Sequence, residues 1–316
     1  MRLLNSPRDI LLLDAIRLKV HEYPFRFENA WATVISTKQE SIFDWISEQQ
    51  TLLLKNEYGE DVHHFQDVTD GSMNTWSYQE GDTIGIIDVG GASVEIAFEA
   101  NELDRVSLST GSPPAPNGSG FTGNLNGTDI SSIHVAGTVY QAYSTGFDQG
   151  GHREFLHRYQ VMLYNNYLIQ ERVDEIVVDD PCGFKEFIVS ASFRGPMNKP
   201  ILLYGSSDAQ RCVEAHKKVW KEIRGCESEE CGQNQPSVEQ RMFTASQTFI
   251  EVRDALDLDE RPFIHELFAA GQKLLNTDAF SDAISYLDIE QSSHAPVYAY
   301  LDCIKTFYLY VMLTDV

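Results

Sequence analysis

Basic residues are scarce in this sequence, and long apolar runs are missing from it. Lysine and arginine together number 24 against 47 acidic residues, which gives a formal net charge of -23. A surface this negative repels nucleic acid and anionic membranes, so we exclude both as partners. The last apolar stretch, residues 298–313, is interrupted by Asp302 and Lys305. We therefore predict no membrane span, and the first residues lack the pattern of a signal peptide.

Cysteine is also scarce, and its odd count of five leaves at least one thiol without a partner in the chain. Cys226 and Cys231 bracket a short acidic loop and could close a small disulfide ring. The paired CxxC spacing and further ligands of a structural zinc site are missing, which argues against zinc.

The 316 residues, 42% of them hydrophobic, suffice for two domains with a sizeable core. Apolar spacing predicts helices over residues 10–20, 42–54, 153–171, 208–223, 261–275 and 296–314. It predicts strands over 30–36, 84–89, 94–98 and 133–143, and a strand or extended segment leading into a helix over 242–256. Residues 56–81 and 101–127 are polar or rich in glycine and proline, which is typical of loops. This order indicates two α/β lobes with a ligand between them.

The stretch from Ile84 to Glu99 is the most informative part of the sequence. A β-branched run, a Gly90-Gly91 pair and a strictly alternating run predict a strand, a tight turn and a second strand. The backbone N–H groups of such a turn can approach a ligand closely. Asp88, where the first strand ends, could hold a cation or its waters, and the hydroxyl of Ser93 could point back at the ligand. The pattern suits a phosphate–metal site, with a plain hairpin as the alternative.

Glu40 lies between a predicted strand end and a predicted helix start. A carboxylate there can face a cleft. The alternative is a solvated glutamate near a helix N-terminus, where the helix dipole favours a negative charge.

Several stretches resemble, in order, the nucleoside triphosphate diphosphohydrolase (apyrase) family. Asp88–Ser93 resembles its second phosphate loop, and Ser36–Ile46 resembles its segment with the catalytic glutamate. Further similar stretches are Met1–Leu4, Tyr143–Phe147 with Gly150-Gly151, Pro181-Cys182, Gly205–Asp208 with Cys212, the Cys226/Cys231 pair, Met242–Phe249 and the region of Cys303.

The resemblance implies an α/β, two-lobed actin-like/RNase H-like fold, with the first lobe incomplete. Residues 1–82 would be the remainder of the first lobe, 83–296 the second lobe, and 297–316 a helix that returns toward the first. It also implies hydrolysis of nucleoside tri- and diphosphates with Ca²⁺ or Mg²⁺ as cofactor, outside the cytosol.

The same resemblance implies a role for each matching site residue. Glu40 would be the general base that activates water, with Ser93 and Glu95 as the other catalytic positions. Asp88 would hold the metal through water, and Phe249 would contact the nucleobase. The phosphate-binding residues would be Gly90, Gly91, Ala92 and Ser93.

Departures from the family pattern qualify these implications. The family's first phosphate loop should precede Met1, and the chain stops inside its last helix, so we predict a truncated chain with weak or no activity. Glu95 stands where the family usually has glutamine, and Thr145 stands where it has histidine. The aromatic run that is expected to stack on the nucleobase is reduced to Phe249, which is followed by Ile250. A carboxylate at position 95 would repel phosphate unless it is protonated or bound to metal.

Two alternatives stay open. An exopolyphosphatase or guanosine pentaphosphate phosphohydrolase carries a similar glycine loop followed by a glutamate, which Glu95 fits better. The other alternative is an inactive remnant that binds nucleotide or nothing.

Overall fold

The chain forms a mixed α/β structure built around two sheets. The computed structural model describes residues 8–24, 26–57, 65–67, 74–76, 83–100, 130–135, 138–225, 242–245, 247–259, 262–276 and 295–315. The predicted loop at 101–127 and the predicted Cys226/Cys231 ring lie outside the described residues, as does most of the polar segment 56–81.

Seven helices and eleven strands are described. The helices are α1 (Arg8–Val20), α2 (Thr37–Glu57), α3 (His152–Asn166), α4 (Ala209–Ile223), α5 (Gln247–Ala255), α6 (Ile264–Leu275) and α7 (Ala295–Asp315). The strands are β1 (Phe65–Asp67), β2 (Asn74–Trp76), β3 (Gly85–Val89), β4 (Val94–Glu99), β5 (Ile130–Val135), β6 (Thr138–Phe147), β7 (Leu168–Glu171), β8 (Ile176–Asp180), β9 (Ile188–Arg194), β10 (Pro200–Gly205) and β11 (Phe243–Ala245). No described helix is both long and apolar enough to cross a membrane.

The larger sheet contains the glycine turn. Its five strands lie in the order β11-β3-β4-β6-β5, with β11 parallel to β3 and the other neighbours antiparallel. β3 and β4 form the predicted hairpin, since their β-branched and alternating residues suit a pleated, half-buried surface. Val89 pairs with Val94 at the closed end of this hairpin, so Gly90 to Ser93 form the turn.

Helix α2 packs on this sheet and is fixed there by two contacts. The side chain of Trp45 is fully buried and packs with Ile86 and Ala97. The amide of the Gln49 side chain binds both backbone groups of Ile84, donating to its oxygen at 2.8 Å and accepting from its nitrogen at 3.1 Å. Because Ile84 leads into β3, these bonds fix the position of α2 relative to the hairpin.

The smaller sheet has four strands in the order β7-β8-β10-β9, with β8 and β10 parallel. The turn after β8 begins at Asp180, whose buried carboxylate accepts hydrogen bonds from the hydroxyls of Tyr159 (2.6 Å) and Tyr300 (2.8 Å). A Cys182–Cys212 disulfide joins this turn to α4. Helices α3 to α7 contribute buried side chains to the main hydrophobic core, next to both sheets.

The structure corrects the predicted strand at residues 30–36 and the predicted helix start near Ile42. Residues Asn29–Trp31 form one turn of 3-10 helix, and no described strand pairs with the segment that follows. Helix α2 begins at Thr37, because Ser36 and Gln39 form a capping box. The Gln39 amide nitrogen donates to the Ser36 hydroxyl (3.1 Å), and the Ser36 amide donates to the Gln39 side chain (2.9 Å). Glu40 therefore lies in the first turn of a helix.

Two further boundaries differ from prediction. The helix predicted over 153–171 ends at Asn166, because Leu168–Glu171 pairs as an edge strand with β8. The single strand predicted over 133–143 is two strands, β5 and β6, that pair with each other. The division of the chain at residues 82 and 296 stays a prediction.

Candidate active site

The turn between β3 and β4 packs against the N-terminus of α3. The Gly90 amide donates to the Ser93 oxygen at 3.0 Å and closes the turn. The first amides of α3 donate back to the turn, from His152 to the Gly90 oxygen and from Arg153 to the Gly91 oxygen, both at 3.0 Å. These bonds use both glycine carbonyls. In the described part of the chain, the amides of Gly91 and Ala92 have no acceptor and are available to a ligand.

Gly151 makes this packing possible. A Cβ at Gly151 would overlap the backbone of Ala92 and Ser93. The glycine therefore lets the start of α3 lie directly against the turn.

Gly90 and Gly91 meet no such obstacle. A Cβ at Gly90 would lie 3.4 Å from the Ser93 oxygen, and one at Gly91 would lie 3.4 Å from Cδ of Arg153, both ordinary contacts. Packing within the protein therefore does not require glycine at either position. A ligand that approaches the backbone closely would require it.

Carboxylates line the same end of the hairpin. Asp88 is directly opposite Glu95 in the β3–β4 pair, and Glu95 is opposite Gly146 in the β4–β6 pair. The side chain of Thr37 lies against Gly146, where an added Cβ would be 2.5 Å from Cβ of Thr37. This contact brings the first turn of α2, with Glu40, next to the hairpin.

Asp44 is a further carboxylate of this group. It lies one helical turn after Glu40 and is half-buried. Burial first, and then the charges of Asp88 and Glu40, raise the pKa of Asp44 from 3.8 to about 6. Asp88 and Glu40 are therefore both close enough to repel the charge of Asp44.

Glu95 and Ser93 are the buried members of the predicted site, with 1% and 6% of their surfaces exposed. Burial first, and then the charge of Glu95, raise the pKa of Tyr308 well above its ordinary value. The Tyr308 hydroxyl in turn donates to the Gly150 oxygen at 2.7 Å. The last helix therefore reaches the same region.

Phe249 lies in α5, which is anchored to the turn by a neighbouring residue. The Thr248 hydroxyl donates to the Val89 oxygen at 2.7 Å. Phe249 itself is partly buried and packs against the main hydrophobic core. Its contact with a nucleobase stays a prediction.

The donor set fits a hard divalent cation. Asp88, Asp44 and Glu40 offer oxygen ligands, which Ca²⁺ and Mg²⁺ prefer. Among the described residues, the one group of three possible ligands within 4.8 Å of one another is Cys182, Cys212 and His216. These two sulfurs form a disulfide, so they are not available as metal ligands, and the carboxylates are the remaining candidates to hold a cation.

The sequence predicts that Glu40, Asp88 and the turn share one site, which stays a prediction, and it misses several neighbours. Asp44 had a usable signal, since residues four apart share one helix face. The sequence singles out Gly151 only as part of a stretch that resembles the family. Its packing role depends on a contact between elements about 60 residues apart, which no local pattern shows.

The chain resembles known nucleotide hydrolases along its whole length. A model of the GDA1/CD39 (nucleoside phosphatase) family matches residues 1–315. Among curated proteins, Probable apyrase 3 of Arabidopsis thaliana is 26% identical over 86% of this chain and 50% of its own length. Ectonucleoside triphosphate diphosphohydrolase 3 of Homo sapiens is 23% identical over 82% of this chain and 45% of its own length. The chain thus spans about half the length of these relatives.

A solved structure of nucleoside triphosphate hydrolases from Neospora caninum resembles the fold. It aligns with 99% of this chain and 64% of its own, with a TM-score of 0.56 and 14% sequence identity. This likeness confirms the predicted actin-like, RNase H-like fold class. The structural likeness and the family match over residues 1–315 agree on the same protein family. The chain belongs to the GDA1/CD39 (nucleoside phosphatase) family.

Proposed function

We propose that this chain hydrolyses the terminal phosphoanhydride bond of nucleoside tri- and diphosphates, with Glu40 as the general base. The observation that carries the proposal is the contact of Thr37 with Gly146. This contact sets the first turn of α2 beside the hairpin that ends in the glycine turn. A base and a phosphate cradle from separate elements then face one site. The names of the apyrase and diphosphohydrolase relatives support nucleotides as the substrate class.

Each residue has a specific task in this reaction. The free amides of Gly91 and Ala92 donate to oxygens of the terminal phosphate, while Ser93 orients the attacking water. Glu40 takes a proton from that water while the water oxygen attacks phosphorus. The bond between phosphorus and the bridging oxygen then breaks. The products are inorganic phosphate and the nucleotide shortened by one phosphate. Phosphoryl transfer depends mainly on such positioning and on charge neutralisation.

A divalent cation, Ca²⁺ or Mg²⁺, would be held by Asp88 through water, with Asp44 nearby. When bound, it supplies positive charge that offsets the negative charge of the phosphates and the carboxylates. Glu95 lies opposite Asp88 and would orient groups beside the cation.

The Cys182–Cys212 disulfide bears on the compartment. Disulfides persist in oxidising environments, outside the cytosol. This bond and the ectonucleotidase name of the human relative support an extracytosolic location.

The proposal is tested by comparing the wild-type protein with Glu40→Gln and Glu48→Gln. Glu48 lies two turns further along α2, half-buried, and accepts a hydrogen bond from Thr244 that glutamine can also accept. Phosphate release from ATP, ADP and long-chain polyphosphate is measured with Ca²⁺ and with Mg²⁺. We expect Glu40→Gln to lose about 10²–10⁴-fold in kcat, as is typical of a general base, and Glu48→Gln to stay near wild type.

Three results would contradict the proposal. Unchanged turnover in Glu40→Gln would remove its role as the base. Faster hydrolysis of polyphosphate than of ATP and ADP would favour the exopolyphosphatase alternative. Binding of a non-hydrolysable ATP analogue without turnover in any form would favour an inactive nucleotide-binding protein.

A further inference from the structure

Arg153 lies along the edge of the glycine turn. Its backbone nitrogen donates to the Gly91 oxygen at 3.0 Å. A Cβ at Gly91 would be 3.4 Å from Cδ of Arg153 and 3.8 Å from its Cγ and Nε. The side-chain stem therefore lies beside the turn, and the residue is exposed.

Among the described residues, the guanidinium of Arg153 has no polar partner that would contribute to the stability of the fold. Within the described residues, the Arg153 side chain forms no ion pair and no hydrogen bond. Other cations on neighbouring elements are paired, as Arg211 is with Asp179 at 2.6 Å and Lys305 with Glu251 at 3.0 Å. Arg153 is exposed, so its loss would cost the folded state little.

The negative charges around the turn would make a positively charged Arg153 favourable for phosphate binding. The site contains four carboxylates, those of Glu40, Asp44, Asp88 and Glu95, in a chain of net charge -23. A polyphosphate that enters this site meets repulsion from every one of them. Backbone amides carry only partial charge, so a full positive charge beside them would strongly favour phosphate binding.

We propose that Arg153 binds the terminal phosphate groups of the substrate, together with the amides of Gly91 and Ala92. The planar guanidinium offers parallel N–H donors that match two phosphate oxygens, which a lysine ammonium does not. This inference rests on the proposed function, and it adds a substrate-binding side chain to that site. None of the stretches that carry the family resemblance contains Arg153.

The test compares Arg153→Ala and Arg153→Lys with Arg172→Ala. Arg172 is an exposed arginine that follows β7 in the other sheet, so its replacement removes the same charge away from the turn. Binding of a non-hydrolysable ATP analogue with Mg²⁺ is measured by calorimetry, and kcat and KM are measured with ATP. Thermal denaturation of each variant checks the fold.

We expect Arg153→Ala to raise Kd and KM by about 10- to 100-fold, the range of a charge-assisted hydrogen bond, with kcat changed much less. Arg153→Lys is expected to recover part of the loss. Arg172→Ala should bind like wild type, and the midpoint of thermal denaturation should be unchanged in Arg153→Ala. A purely structural arginine would instead lower this midpoint without recovery by lysine.

Equal Kd values for Arg153→Ala and Arg172→Ala would overturn the inference while leaving nucleotide hydrolysis intact. A wild-type protein that binds the analogue without hydrolysing it would overturn the proposed function, and the Kd comparison would still decide the role of Arg153. A wild-type protein that neither binds nor hydrolyses would overturn both.

Discussion

Replacing Asp44 by asparagine should stabilise the folded protein at neutral and alkaline pH. The carboxyl of Asp44 lies half-buried near Asp88 and Glu40, and its pKa rises from 3.8 to about 6 on folding, first through burial and then through these two charges. Because the folded state prefers the protonated form, the stability gained from protonation is complete below about pH 3.8. It is lost as the pH rises through 6.

The size of the effect follows from the two pKa values. The difference between 3.8 and about 6 corresponds to at most about 3 kcal/mol of unfolding free energy. Since Asp44 is partly exposed, solvent screening reduces this to roughly 1–2 kcal/mol. Asparagine has nearly the same shape and cannot ionise, so Asp44→Asn should gain this amount at pH 8 and nothing near pH 3.8.

The assay is urea denaturation of the wild-type protein and Asp44→Asn at several values between pH 4 and 8, without divalent cation and then with Mg²⁺. Asp174→Asn, an exposed aspartate after β7, is the control and should show no pH-dependent gain. Added Mg²⁺ should shrink the gain of Asp44→Asn, because a bound cation offsets the same repulsion. A gain that is constant across the pH range, or a loss at pH 8, would refute the reasoning.

Two further predictions concern the turn and the disulfide. Gly151→Ala should cost about 1–3 kcal/mol in urea denaturation, because its Cβ would overlap the backbone of Ala92 and Ser93. Gly90→Ala, which meets only an ordinary contact, should keep its stability but lose affinity for the ATP analogue in calorimetry, and equal stability of the two variants would contradict this. Replacing Cys182 and Cys212 together by serine should cost about 3–4 kcal/mol of unfolding free energy, because the bond closes a loop with a sequence separation of 30. A loss below about 1 kcal/mol in urea denaturation would contradict that estimate.

The parts of the fold that depend on local signals were predicted well. The hairpin from β3 to β4 follows from alternation on both sides of a Gly-Gly turn, and both strands are present. The start of α4 follows from Asp208, whose side chain accepts from the Arg211 amide at 3.0 Å as an N-cap does. In each case the residues that carry the signal are neighbours in the chain.

The wrong predictions concern segments whose structure depends on contacts with residues far away in the sequence. Residues 30–36 are rich in β-formers, but β propensity reflects packing against neighbouring strands, and no described strand offers that. Leu168–Glu171 continues a helical pattern and nevertheless becomes a strand beside β8. The Cys182–Cys212 pair could not be chosen from five cysteines by spacing alone. The same reason applies to the candidate site: motifs predict Glu40 and the glycine turn, while Asp44, Gly151 and Arg153 become candidates only from the packing.

The hydrogen bond from Tyr308 to Gly150 has a consequence for synthesis of the protein. It joins residues 158 positions apart in the chain, and Tyr300 makes a similar bond to Asp180 over 120 positions. Gly150 precedes the residue that seats α3 against the glycine turn. During synthesis on the ribosome, the glycine turn is translated before α7. These hydrogen bonds can form only after α7 has also been translated. If translation is stalled before α7 has left the exit tunnel, nucleotide should therefore bind the nascent chain weakly.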